Sequence, residues 1–195
     1  MNPSDEELIQ RAKQKDKQAF TALIDRYSDK ICNYLYRYVR DYQLAEDLTV
    51  ETFLNAYNRL HTYTEMGKFS SWLYMIATNC AKKELNRRKQ RGEVSLNAPI
   101  EEGNDLSLED LLVDEKNRPD FQARQAELKE FVYRAISELD DKYKDVLLLC
   151  DVEGMSYEEA AKSLRSNPIT VGTRLRRARK MLYDILKRYG YDFNF

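Results

Sequence analysis

The chain has 195 residues, of which 33% are charged and 43% hydrophobic, and its formal net charge is −1. This length allows one large domain or two small ones, and only 6 glycines and 4 prolines predict a mostly helical protein. No stretch approaches the roughly 20 apolar residues of a membrane span, so we expect no membrane insertion. The acidic N-terminal sequence MNPSDEELIQ predicts no secretory signal.

The three cysteines, Cys32, Cys80 and Cys150, lie far apart and form no C-x-x-C pair. We expect buried free thiols in a reducing cytoplasm, where such side chains behave as small hydrophobic groups. Together with a single histidine they offer too few ligands for a metal site, so neither a metal nor a cofactor is expected.

Charge is distributed unevenly along the chain. Residues 1–92 hold 16 Lys and Arg against 12 Asp and Glu, residues 93–125 hold 3 against 9, and residues 126–195 hold 13 against 12. Pro99 and Pro119 in the middle segment favour a flexible acidic linker between two domains. Basic regions on both sides of an acidic linker point to a polyanionic partner, with a random scatter of surface charge as the alternative.

The first domain is predicted to begin with three helices. Ser4 and Glu7 have the spacing of a capping box and should start the first. Apolar residues at three- and four-residue steps from Phe20 to Tyr38 predict a long amphipathic second helix. The third, near residues 43–60, carries two apolar stripes, so it is either central in its bundle or also docks a partner.

A fourth helix is predicted from an N-cap at Ser70, with Phe69 before it, to about Arg91. Its basic C-terminal end follows a polar loop at residues 61–68. The helix therefore combines an aromatic start with a cationic end.

One side of this fourth helix is expected to expose Trp72 in line with Asn79 and Asn86, flanked by Lys82 and Lys83. Bases stack on aromatic rings while cations neutralise phosphates, so these residues are typical of single-stranded nucleic-acid binding. The alternative is that Trp72 belongs to the core, because most tryptophans are largely buried.

The second domain is predicted to hold two helices, near residues 126–139 and 141–152, followed by a helix-turn-helix unit. Ser156 and Glu159 again have capping-box spacing. Asn167 is the expected N-cap of the last helix, and Pro168 occupies its first position, where a missing N–H costs little.

The last helix has two contrasting faces. The core-facing stripe is Val171, Leu175, Ala178 and Leu182. The opposite face and its near flank carry Ile169, Thr170, Thr173, Arg174, Arg176, Arg177 and Lys180. Arginines can contact guanine edges with two hydrogen bonds while their neighbours bind phosphates, which favours a recognition helix in the major groove. A solvated basic helix in a plain bundle is the alternative.

Five segments in this order resemble a group IV, or extracytoplasmic function, sigma factor, the small promoter-recognition subunit of bacterial RNA polymerase. They are AFTALIDRYSDKICNYLYRYV, AEDLTVETFLNAY, KFSSWLYMIATNCAKKELNRR, LDDKYKDVLLLCDVEGMSYEEAAKSL and TVGTRLRRARKML. The resemblance covers nearly all of the chain. It implies an all-α protein of two small helical domains, at residues 1–92 and 126–195, that carries out no chemistry itself.

The resemblance also implies partners and roles. Core RNA polymerase would bind through its clamp helices and flap, and the implied clamp contacts are Asp47, Glu51, Phe53 and Leu54. Single-stranded minus-ten DNA would be bound by Lys68, Trp72, Asn79, Lys82, Lys83 and Asn86, with a flipped base held by the loop at residues 61–68. Duplex minus-thirty-five DNA would be read by Thr170, Thr173, Arg174, Arg176, Arg177 and Lys180. An anti-sigma factor is an expected inhibitor, and the linker would thread toward the RNA exit channel.

The chain departs from this family's pattern at several positions. The family's usual glycine in the turn falls at Arg165, its glycine at the start of the recognition helix at Ile169, and its common lysine at Gly172. Glycine is a poor helix former in the middle of a helix. Lys83 stands where an aspartate is frequent and adds positive charge near the DNA.

Two other classes of protein fit the sequence less well. A freestanding helix-turn-helix regulator would bind duplex DNA without polymerase and usually as a dimer, which would leave the Trp72 side and the third helix idle. An enzyme is disfavoured because His61 stands alone, and the sequence contains no glycine-rich phosphate loop and no nucleophile motif.

Overall fold

A computed structural model describes residues 3–64, 68–91 and 131–189, and within these ranges the chain forms helices and no strands. The helices are α1 (Asp5–Lys13), α2 (Lys17–Val39), α3 (Tyr42–Arg59), α4 (Phe69–Gln90), α5 (residues 131–137), α6 (Asp141–Leu147), α7 (Tyr157–Ser163) and α8 (Pro168–Arg188). A 3-10 turn, Leu60–Thr62, follows α3, and a π-helical segment, Leu148–Val152, continues α6. The predictions for the linker, for loop residues 65–67 and for tail residues 190–195 lie outside the described residues.

The predicted helix starts are confirmed at three places where a side chain caps the backbone. The Ser4 hydroxyl accepts the N–H of Glu7 at 3.2 Å. Ser156 and Glu159 form both hydrogen bonds of a capping box. The Asn167 side chain accepts the N–H three residues further on at 2.8 Å, and proline follows it at the first helical position. These caps satisfy N–H groups that have no partner inside the helix.

The start of α4 differs from the prediction. Lys68 occupies the N-cap position without a side-chain hydrogen bond, and Ser70 lies inside the first turn. Phe69 is the first helical residue and is buried against the rings of Tyr27 and Tyr63, with centroid distances of 5.6 and 5.8 Å. Packing of this aromatic side chain, rather than a capping hydroxyl, therefore sets where the helix begins.

The first lobe, residues 3–91, is a bundle of α1 to α4 in which α2 lies at the centre. Tyr34 and Tyr38 of α2 are completely buried. The Tyr34 hydroxyl forms a 2.7 Å hydrogen bond with Thr78 of α4, and its ring meets Tyr74 edge-on at 5.0 Å. This hydrogen bond offsets the free energy of desolvating the hydroxyl, because an unpaired hydroxyl in the core would destabilise the fold.

The second lobe, residues 131–189, places α8 across α6 and α7. Val171, Leu175 and Ala178 are buried, as their three- and four-residue spacing predicts. The turn between α7 and α8 contains Arg165, whose φ of 48° lies in the left-handed region. This is where the family pattern has glycine, so the backbone keeps the glycine conformation with a side chain that disfavours it.

The two lobes contact each other along α4 and α7. The Ser163 hydroxyl donates to the backbone carbonyl of Ser71 at 2.8 Å, and both residues are buried. At the edge of this contact, Lys68 Nζ lies 2.7 Å from a carboxylate oxygen of Glu159. The helix that carries the predicted single-strand surface is thus partly covered by the second lobe.

Candidate nucleic-acid and protein-binding surfaces

The outer face of α3 is apolar and acidic. Val50 and Leu54 are 62% and 61% exposed, and Tyr57 continues their line one turn further along. Asp47 is exposed and Glu51 is half-buried on the same helix. Large aliphatic side chains at this exposure on neighbouring turns form an exposed apolar patch. The third helix therefore has one face in the core of its bundle and one exposed face.

Phe53 was wrong as a predicted contact on this surface. Its side chain is only 6% exposed and points into the bundle with Leu48 and Ala56. The sequence pattern grouped Val50, Phe53, Tyr57 and Leu60 in one apolar stripe, but Val50 and Tyr57 are exposed whereas Phe53 and Leu60 are buried. Val50 was therefore not among the predicted contacts, although it lies on the exposed face.

Trp72 is half-buried rather than exposed. Its ring packs against Tyr63 and Phe69 with centroid distances of 5.3 and 5.7 Å. These rings cover one side of the indole, so Trp72 is neither freely exposed, as predicted, nor completely within the core. The remaining surface lies near the loop that precedes α4.

Further along α4, the predicted line is confirmed for two of its amides. Asn79 and Asn86 are exposed, and so is Lys83, which lies 3.5 Å from a carboxylate oxygen of Glu51. Lys82 is half-buried and pairs with Asp145 of the second lobe. Three of the four polar side chains are therefore accessible, and the fourth is engaged between the lobes.

Two carboxylates anchor a polar contact between the lobes. Asp145 accepts a hydrogen bond from the Tyr38 hydroxyl at 2.9 Å as well as the ion pair from Lys82. Glu153 accepts from Arg37 at 2.7 Å and from the Tyr74 hydroxyl at 2.5 Å. Because each carboxylate has partners on two helices of the other lobe, the pair sets how the lobes meet.

Burial decides the protonation of these two groups. Desolvation raises the pKa of Asp145 above its ordinary value, although Lys82 and Tyr38 act in the opposite direction. Desolvation likewise raises the pKa of Glu153 against the opposing effects of Tyr74 and Arg37. The contact between the lobes contributes to this desolvation, because hydrogen-bond partners of both carboxylates lie on the first lobe.

The exposed face of α8 agrees with the prediction. Thr173, Arg176, Arg177 and Lys180 are exposed. Thr170 and Arg174 are half-buried on the flank. On the other flank, Arg179 forms two hydrogen bonds with Asp151, at 2.8 and 2.5 Å, which orient it away from the reading face. A helix with its basic side free after a tight turn has the geometry of a recognition helix.

The first turns of α8 also carry an apolar feature, in which Ile169 is exposed as predicted and a contact with Tyr157 was not foreseen. Ile169 is 83% exposed, and the Tyr157 ring of α7 lies against Gly172. A Cβ at residue 172 would lie 3.2 Å from Cε2 of that ring. The glycine that looked like a poor helix former is therefore where the tyrosine approaches the helix closely.

A cleft of about 330 Å³ lies between the lobes. Asn79 and Lys82 of α4 line one side, and Arg174 of α8 lines the other. Candidate residues for two different DNA elements thus face the same space in this arrangement.

Within the residues that the structure describes, no cluster of His, Cys, Asp or Glu could hold a metal ion. The three cysteines are free: Cys80 is buried, whereas Cys32 and Cys150 are only half-buried. Desolvation raises the pKa of Cys150 to about 11, so this thiol stays protonated at neutral pH. Among the described helices, none is long and apolar enough to cross a membrane.

Comparison with known proteins matches both lobes. Residues 23–91 match the family model for sigma-70 region 2, and residues 131–182 match that for sigma-70 region 4. Two solved structures share the fold. CnrH in complex with the cytosolic domain of CnrY has a TM-score of 0.65 and 21% identity, over 93% of this chain and 96% of that one. The sigma factor RpoE in complex with the anti-sigma factor NepR from Bartonella quintana has a TM-score of 0.62 and 20% identity, over 86% of this chain and 96% of that one.

Curated relatives align over nearly the whole chain. The RNA polymerase sigma-H factor of Pseudomonas aeruginosa is 33% identical over 94% of both chains. The ECF RNA polymerase sigma-E factor of Haemophilus influenzae is 32% identical, over 92% of this chain and 93% of its own. The ECF sigma factor SigW of Bacillus subtilis is 32% identical, over 92% and 95%. The chain therefore belongs to the extracytoplasmic function sigma factors, the promoter-specificity subunits that bind core RNA polymerase and promoter DNA and are not themselves enzymes.

Proposed function

We propose that this sigma factor docks on core RNA polymerase through the outer face of α3, with Asp47, Val50, Glu51 and Leu54 as contacts. The observation that carries this assignment is the exposure of the aliphatic side chains of Val50 and Leu54, at 62% and 61%, on the outer face of α3. Burying such side chains against a partner is favourable, and the adjacent carboxylates give the surface a negative character. Residues 1–92 form the docking and minus-ten domain in this proposal.

The minus-ten element is bound by the exposed side of α4. Asn79 and Asn86 are placed to hydrogen-bond base edges, and Lys83 to neutralise phosphates. Trp72 contributes its free edge near the start of the helix, next to Lys68. Lys82 joins this surface once it leaves Asp145.

The minus-thirty-five element is read by the recognition helix α8 in the major groove. Arg176 and Arg177 contact base edges or phosphates. Thr173 lies about one turn before them on the same face of the helix. Thr170, Arg174 and Lys180 border this face and hold the backbone. Residues 126–195 form this second DNA-binding domain.

Promoter binding requires the two lobes to part. The two promoter elements are about 25 base pairs apart, which corresponds to about 85 Å of duplex. Asn79 and Arg174 line one cleft of about 330 Å³ in the described arrangement. The contacts of Asp145 and Glu153 therefore have to break before both elements are engaged.

We also infer that an anti-sigma factor holds this chain in an inactive form. The structurally similar CnrH and RpoE were solved with the cytosolic domain of CnrY and with the anti-sigma factor NepR. This inference and the binding of promoter DNA place the protein in the cytoplasm, where the chromosome lies.

The test of the docking surface is a titration of labelled protein with bacterial core RNA polymerase. We expect Leu54→Asp to weaken binding at least about tenfold, which corresponds to losing about 1.4 kcal/mol. Thr21→Asp is the matched control, since it adds the same charge at an exposed position of α2. Equal affinity of both variants would exclude the α3 face as the docking surface.

Transcription on a library of random promoters completes the test. Selection of a two-block motif by the holoenzyme is the expected result. Tight binding to duplex DNA without any polymerase, and no transcription, would instead indicate a freestanding regulator.

A further inference from the structure

The apolar feature at the start of α8 has no role among the assigned DNA contacts. At 83% exposure, Ile169 is the most exposed large hydrophobic residue in the described part of the chain. A shallow groove of about 480 Å³ lies beside it, lined by Tyr157, Pro168, Ile169, Gly172, Thr173 and Arg176. An isoleucine so placed at the beginning of a recognition helix gains nothing from the protein's own core.

This groove lies on the face that we assign to DNA. Ile169, Thr173 and Arg176 are separated by four and three residues, so they lie in one line along α8. Residues at the N-terminal end of a recognition helix are those that contact base edges in the major groove. Ile169 therefore stands at the position of direct readout, next to a polar and a cationic side chain.

The major groove offers one apolar group among the four bases, the C5-methyl group of thymine. An aliphatic side chain can form no hydrogen bond with a base edge, but it can bury that methyl group. Cytosine carries only a hydrogen at C5, and the purines offer no methyl group in the groove. An isoleucine at this point thus has one favourable base contact.

Tyr157 completes the apolar surface, and Gly172 permits its close approach to α8. The ring is 44% exposed and lies closer to the helix than a Cβ at residue 172 would ordinarily allow. Its Cε2 lies 3.2 Å from where such an atom would stand. The ring and Ile169 therefore flank a gap wide enough for a small apolar group.

We propose that Ile169 and Tyr157 form a specificity-determining surface that contacts a thymine methyl group in the minus-thirty-five element. This inference rests on the proposed reading of that element by α8 and adds which base the helix selects. Two of the positions at which the chain departs from the family's pattern, Ile169 and Gly172, both build this surface. Together they give this sigma factor a preference for thymine at one position of the minus-thirty-five element.

The test removes thymine methyl groups from the promoter one at a time. Holoenzyme is assembled from core polymerase and the full chain, and its selected promoter is determined first. Each thymine of the minus-thirty-five block, on either strand, is then replaced in turn by deoxyuridine, which removes only the methyl group. We expect one position at which binding weakens about fourfold, as for withdrawing one methyl group from an apolar contact.

Variants connect this effect to the protein. Ile169→Ala should bind the thymine and deoxyuridine promoters alike, at the level of wild type on deoxyuridine. Gly172→Ala should reduce the methyl effect by displacing the Tyr157 ring while α8 stays folded, because alanine favours a helix. Met181→Ala, which changes an exposed apolar residue further along α8, should retain the full effect. Circular dichroism of each variant checks that the fold is intact.

The outcomes separate the two proposals. A minus-thirty-five motif without thymine, or binding unchanged within twofold at every deoxyuridine position, would overturn the methyl contact while leaving the sigma assignment in place. A methyl effect that persists in Ile169→Ala would also overturn it. If the holoenzyme selects no minus-thirty-five motif at all, the proposed role of α8 fails, and this inference fails with it.

Discussion

Lys82 of α4 and Asp145 of α6 form an ion pair that joins the two lobes of this sigma factor. Asp145 is almost completely buried and is also bound by Tyr38, whereas 32% of the Lys82 side chain remains exposed. The same lysine belongs to the proposed minus-ten surface. A residue proposed to contact DNA is thus paired with a carboxylate of the second lobe.

Lys82→Met should loosen the contact between the lobes, because it leaves the buried Asp145 carboxylate without its counter-ion. We expect a loss of about 1–2 kcal/mol in the free energy of closure, less than for a fully buried pair, since Asp145 keeps its Tyr38 partner and can bind a proton. Energy transfer between dyes on the two lobes measures the open fraction. Asp151→Asn is the control, since it removes an ion pair with Arg179 inside the second lobe. An equal open fraction in wild type and Lys82→Met would show that this pair does not hold the lobes.

Closure of the two lobes should weaken as pH rises. An ordinary ion pair would instead strengthen as its carboxylate loses a proton. Burial raises the pKa of Asp145 and of Glu153 in the closed form, from ordinary values of 3.8 and 4.5. The closed form therefore binds more protons than the open form. This contribution to closure is complete below the ordinary values and is lost as pH rises through the raised ones.

The same dye pair, followed between pH 4 and pH 8, checks this linkage. The open fraction should increase with pH, and the increase should be smaller in Asp145→Asn with Glu153→Gln. Opening on acidification would mean that the attraction of Lys82 and Arg37 outweighs desolvation.

Arg165→Gly should stabilise the second lobe. Arg165 has a φ of 48°, a conformation that costs a residue with a side chain about 1–2 kcal/mol and glycine nothing. Because glycine also makes the unfolded chain more flexible, the net gain in the free energy of unfolding should be about 0.5–1 kcal/mol. Thermal unfolding measures it. Arg165→Ala removes the same charge without relieving the backbone, so a gain as large in that variant would refute the explanation.

Two neighbouring residues of α3 should separate stability from function. Phe53→Ala removes a buried ring and should cost about 3–5 kcal/mol of unfolding free energy. Leu54→Ala changes an exposed side chain and should leave stability within about 0.5 kcal/mol while weakening polymerase binding. Urea unfolding and core-polymerase titration of both variants provide the comparison. Equal destabilisation would contradict the assigned faces.

Local patterns in the sequence were sufficient for the helices and for most of the DNA face. Ser4, Ser156 and Asn167 cap their helices as predicted because capping depends on atoms three residues apart. The faces of α8 followed from helical periodicity, since one continuous helix positions Leu175 and Arg176 whatever packs around it. The family resemblance, carried by short motifs in order, was visible at the same level.

Contacts between distant segments could not be predicted from such local sequence patterns. The sequence alone determined that Lys82 lies on a basic helix, but Asp145 reaches it only after two lobes dock. Phe53 and Leu54 are both apolar neighbours, and only the bundle around α3 decides which one faces water. Gly172 looked like a defect until Tyr157, on another helix, was seen against it. Periodicity reports which side of a helix a residue occupies, whereas the burial, charge pairing and close approach of that side depend on its neighbours in space.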